Sequence, residues 1–96
     1  VPDSLNILMV AAENDALNGG KVGGVGDVVR DVPYALADLP EFSGVVSVVC
    51  PSYGFLHKDA KVSLGQIEFA FGGERLTAEL FEVEGRRSHG GVRQLV

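Results

Sequence analysis

The chain has 96 residues, 13 acidic against 8 basic side chains, a net charge of −5 and 46% hydrophobic residues. That length predicts one domain or part of one, with a modest core, and that composition excludes a disordered polymer. The basic residues are scattered and no apolar run approaches membrane-spanning length, so neither nucleic acid nor a membrane is expected as a partner.

In chain order, Leu5–Ala12 (LNILMVAA) is almost continuously apolar, which predicts a parallel-sheet strand buried on both faces. A loop follows in which Asn18–Val29 (NGGKVGGVGDVV) carries five glycines and one lysine. Gly26–Leu39 then places Val28, Val29, Val32, Ala35, Leu36 and Leu39 at helical spacing, with Arg30, Asp31 and Asp38 mostly on the other face. Pro33 predicts a kink or break. Val45–Cys50 reads as a second buried strand, stopped by Pro51–Gly54. Strand, helix and strand over about 5–54 make a βαβ unit with a right-handed crossover.

The second half alternates. In Gln66–Phe71 (QIEFAF), Ile67, Phe69 and Phe71 stand against Glu68 and Ala70; Gly72–Arg75 supplies a turn, and Leu76–Glu84 continues extended. This predicts a half-exposed hairpin over about 62–84 with Phe69 and Phe71 in its core. Val92–Val96 begins a further strand. The fold class expected is α/β: a Rossmann-like βαβ start followed by a β-hairpin. The pattern stops inside a strand, so residues 1–96 are expected to be part of a domain, with self-association through an exposed sheet edge as a consequence. Val1 in place of Met points to a trimmed or processed start. The single cysteine, Cys50, has no disulfide partner in the chain, and no basic-then-apolar leader opens it, so a cytoplasmic setting is expected.

A glycine-rich loop that leaves a parallel strand and opens a helix is the usual ligand position in open α/β sheets. Unpaired amides at the helix start and the absence of Cβ atoms favour an anion there. The residues therefore predict a phosphate or a cluster of sugar hydroxyls held by Gly23, Gly24 and Gly26, with Lys21 as counter-charge; the alternative is a flexible turn with an exposed lysine. Asp27 either complements the helix dipole or hydrogen-bonds ligand hydroxyls. Two known phosphate motifs fail. GVGDVV puts Val29 where a dinucleotide fingerprint needs its third glycine, and Gly20-Lys21 is followed by Val22 where a P-loop needs Ser or Thr.

Other residues take structural readings. His57 and His89 have no partners at metal-ligand spacing, so no metal site is expected; they read as a loop residue and a solvent-exposed turn residue. Cys50 reads as a small buried apolar side chain. Tyr53 either lines a cleft or packs in a loop. Glu79, Glu82 and Glu84 read as a solvated strand face.

KVGGVGDVV with VPYAL downstream resembles the K-T-G-G-L-G-D-V signature and following L-P-x-A-L of bacterial glycogen synthases and plant starch synthases. ILMVAAE, ending at Glu13, resembles that family's first strand, and VSVVCPSYG its second. The likeness spans most of Leu5–Gly54; beyond it only the pattern of a hairpin and a strand agrees. The resemblance implies the N-terminal part of a GT-B glucosyltransferase, which moves glucose from ADP-glucose to an α-1,4-glucan with retention and without a cofactor or catalytic metal. It implies that Lys21 contacts the nucleotide-sugar phosphates, that Gly23 and Gly24 let the loop approach the donor, and that Asp27 sits near glucosyl or acceptor hydroxyls. The spacer ENDALNGGK is two residues longer than the family's E-x-x-P-F-x-K and lacks Pro-Phe, which bears on where Glu13 stands relative to Lys21. Val22 and Val25 replace the usual Thr and Leu. The family's arginine, lysine and glutamate for the reacting centre lie in a C-terminal domain, so no catalytic residue is assigned in these 96, and the chain alone is expected not to turn over. The competing expectation is a non-catalytic module that binds a nucleotide sugar or glucan.

Overall fold

In the computed structural model, which describes residues 4–96 apart from the side chains at 59 and 61, five strands share one mixed sheet. These are β1 (Leu5–Val10), β2 (Gly44–Val49), β3 (Ala60–Phe71), β4 (Glu74–Val83) and β5 (Val92–Leu95), ordered β1-β2-β5-β4-β3. One helix, α1 (Gly24–Ala37), and a 3-10 turn at Leu56–Asp59 complete the secondary structure of these residues. Val1, read above as the mark of a trimmed start, lies outside the described residues.

The α/β reading holds. β1 pairs parallel with β2 in register from Leu5 with Gly44 to Val10 with Val49, and β2 pairs parallel with β5. The hairpin β3–β4 joins β5 antiparallel through Glu82–Leu95 and Val83–Gln94. Gly72 and Gly73 form its turn at φ +59° and +81°, the positive pair that a two-residue I′ turn requires and that glycine adopts without strain.

The core is small and lies on the helix side of the sheet. Val46 and Val48 of β2 are fully buried, and α1 packs there through Gly26, Val29, Pro33 and Tyr34. A second cluster joins Leu17, Cys50, Leu56, Val83 and Val96, with Ala60 and Phe81 against it. Cys50 is the small buried side chain expected, and burial pushes its thiol pKa up.

Three burial expectations and one of helix continuity are corrected. β1 is not buried on both faces: Leu8 and Val10 are 60% and 78% exposed. β1 is the edge strand and α1 covers only one side of the sheet, so a hydrophobic run fixes the strand but not its cover. Pro33 neither breaks nor ends α1; its ring is buried in the core, and that burial offsets the hydrogen bond its missing N–H forgoes. The buried stripe of α1 is rotated from the one the periodicity picks, so Val28, Val32 and Leu39 are exposed. The apolar arc is wider than the sheet can cover, and Tyr34, bonded to β5, sets which part faces in. Phe69 and Phe71 are exposed rather than in a hairpin core, because the outer hairpin extends past every covering element. Ile67, Phe69 and Phe71 do share one face with Ala78 and Leu76 across the register, while Arg75–Glu68 and Ser63–Glu79 pair among the polar side chains.

Candidate functional site

The loop from Ala11 to Gly23 leaves the carboxyl end of β1 and folds back on itself before opening α1. Asn14 N–H donates to Gly20 O at 2.8 Å, Leu17 N–H to Asn14 O at 3.2 Å, and Gly20 N–H to Leu17 O at 3.0 Å. Gly20 is required by this closure, since a Cβ there would stand 2.2 Å from the Asn14 carbonyl oxygen. Ala16 and Leu17 are buried, so the spacer between Glu13 and Lys21 forms a tucked turn, and Glu13 reaches the glycine segment.

Glu13 organises that segment. Its buried carboxylate accepts from Val22 N–H at 2.8 Å, Gly23 N–H at 2.8 and 3.0 Å, and Gly26 N–H at 2.7 Å. Gly23 is the N-cap of α1 and has no side chain to cap with, so Glu13 satisfies the orphan donors from thirteen residues upstream of Gly26. Burial raises the Glu13 pKa, but the amides of Gly26, Gly23 and Val22, with Lys21 nearby, outweigh it and hold the carboxyl below its ordinary value. The amides of Gly23 and Gly26 are thus engaged by an internal anion. Gly24 differs: it is exposed, its amide takes no part in the Glu13 contacts, and a Cβ added there would meet open space.

Lys21 and Asp27 stand together at the same rim. Lys21 Nζ lies 2.9 Å from Asp27 Oδ1 and 3.1 Å from Oδ2, and Asp27 raises the lysine pKa. Asp27 Oδ1 is also 3.4 Å from an Arg30 terminal nitrogen one helical turn on. Arg30 is pinned by Asp31 at 2.7 Å and by a close ion pair to Asp15. Asp15 is buried and takes Arg86 as well, at 3.3 Å.

Beneath the loop runs a buried polar chain. Asn14 Nδ2 donates to Gln94 Oε1 at 2.7 Å, Gln94 Nε2 to Tyr34 Oη at 3.2 Å, and Tyr34 O–H to Arg87 O at 2.8 Å. It links the loop, β5, α1 and the β4–β5 connection. At the end of β2, Tyr53 (φ +54°) donates its O–H to Ala12 O at 2.6 Å, joining the loops that leave β1 and β2.

The predicted residues Lys21, Gly23, Gly24, Gly26 and Asp27 lie in one segment, but they divide: Gly23 and Gly26 face inward to Glu13, while Lys21, Gly24 and Asp27 face solvent. Spacing does not reveal the roles of Glu13, Asp15, Arg30 and Arg86. The available signal is an acid directly after an apolar strand and before a glycine loop. His57 sits in the 3-10 turn, its Nδ1 2.6 Å from Ser52 Oγ and its ring stacked on Phe81. His89 is not solvent-exposed as expected: its side chain is 23% exposed, because it bonds Asp38 at 2.7 Å and packs near Tyr34. Glu82 is likewise partly covered and paired with Arg93 at 2.6 Å. Among the described residues no group of three or more His, Cys, Asp or Glu side chains is placed to hold a metal ion, and no helix is long and apolar enough to cross a membrane.

Compared with known families, residues 6–94 match the model described as the starch synthase catalytic domain. No curated protein matches the chain.

Proposed function

This chain belongs to the starch synthase catalytic domain family, and from that premise we propose that it is the donor-facing N-terminal part of a retaining glucosyltransferase. The reaction moves glucose from ADP-glucose to the non-reducing end of an α-1,4-glucan in the cytoplasm. The observation that carries this reading is the outward pair of Lys21 Nζ and the Gly24 backbone at the carboxyl end of a parallel strand. Lys21 meets the donor phosphates, and Gly24 lets them approach the start of α1. Gly23 and Gly26 keep that loop in shape through Glu13, and Asp27 faces the glucosyl or acceptor hydroxyls.

One lysine and a few backbone groups fall short of the several kcal/mol, roughly 8 or more, that enzymatic acceleration requires. The 96 residues therefore bind donor without turning it over, and the charges that complete the site come from elsewhere in the enzyme. Among the described residues β1 and β3 are the edge strands of the sheet, which supports pairing with a second copy. The test is calorimetric titration of ADP-glucose into the chain and its Lys21→Ala variant. Binding that weakens roughly tenfold to a hundredfold in the variant is expected, the range for losing a charged hydrogen bond. Equal binding by both overturns the reading, and glucose transfer by the 96 residues overturns its second half.

A further inference from the structure

Lys21 meets any incoming anion already paired. Both oxygens of Asp27 are within 3.1 Å of its ammonium, and one of them is 3.4 Å from Arg30. We propose that Asp27 is an exchangeable counter-ion: it holds Lys21 in the ligand-free protein and passes to Arg30 when a phosphate group takes the lysine. The proposal rests on the donor reading above and adds a role for two residues, Asp27 and Arg30, in setting how tightly phosphate is held.

Three observations carry it. The transfer needs no backbone movement, because Asp27 and Arg30 are one turn apart on α1 and already in contact. The bond to be broken is weak: Lys21 and Asp27 are 46% and 40% exposed, and ion pairs so exposed contribute little. The receiving cation has more carboxylate partners than the leaving one. Arg30 is held by Asp31 and by buried Asp15, whereas Lys21 stands on a loop beside Gly20 with Asp27 as its ion-pair partner. With Glu13, whose carboxylate also acts on Lys21, the cluster sets Lys21, Arg30 and Arg86 against Glu13, Asp15, Asp27 and Asp31, so an added phosphate meets a net negative field and is repelled most by the carboxylate paired with its lysine.

Inorganic pyrophosphate is the probe, titrated into the 96-residue chain. Asp27→Asn is expected to bind it about fivefold more tightly, the effect of removing one charge at close range in water. Arg30→Gln is expected to weaken binding about fivefold in the wild-type background and by less than about twofold in Asp27→Asn, where there is no carboxylate to receive. Unchanged or weaker binding by Asp27→Asn overturns the proposal, as does an equal effect of Arg30→Gln in both backgrounds. If Arg30→Gln does not fold, the surface substitution Asp27→Asn decides alone. Lys21→Ala separates the two readings. If it abolishes pyrophosphate binding while Asp27→Asn does not tighten it, the counter-ion exchange fails and the donor loop stands. If it changes nothing, both fail.

Discussion

Glu13 fixes the shape of the glycine loop, and it does so with a charge that must be present. Its folded pKa lies below its ordinary value of 4.5, so its contribution to stability is complete above that value and is lost as pH falls through the lowered folded pKa. Asp31, Asp38 and Glu82 are lowered by their Arg30, His89 and Arg93 partners and act in the same direction. Glu13→Gln keeps the side chain's size but removes its charge, and is expected to flatten the fall in urea midpoint between neutral and acid pH. It should also speed hydrogen exchange at Val22, Gly23 and Gly26 selectively; unchanged exchange there would contradict the role assigned. The residue scale is also where the sequence is least readable. Glu13 works on backbone amides nine to thirteen residues away, and such partners leave no side-chain pattern. Lys21 and Asp27 are visible as residue types, but the pairing that ties one to the other depends on how the loop closes.

At the scale of elements, β1, α1, β2 and the hairpin are legible because each carries its own local period or turn signal, down to the two glycines between β3 and β4. What covers each element is not local. The stripe of α1 that faces inward is chosen by Tyr34 and its bond to Gln94, eighty residues from Gln94's other partner, Asn14. That chain is testable. Gln94→Leu leaves Asn14 Nδ2 buried without its acceptor and should cost about 1–3 kcal/mol in urea unfolding. Asn14→Leu with Gln94→Leu should cost less than the sum of the two single changes, because the second removes a group already unpaired. Additive costs would show that the two side chains do not act as one network.

At the scale of the molecule, the one helix and one mixed sheet of the described residues leave β1, the outer hairpin and much of α1 uncovered, while the loop after β1 is held from below by Glu13, Asn14 and Asp15. The firm part of the fold is thus the part that presents Lys21 and Gly24. The most direct measurement is an amide-resolved NMR titration of the chain with ADP-glucose. The prediction is that Lys21, Gly24 and Val25 shift while Val22, Gly23 and Gly26 keep their slow exchange on Glu13. Shifts confined to other surfaces, or loss of the Glu13-bound amides on binding, would contradict a donor loop built around an internal carboxylate.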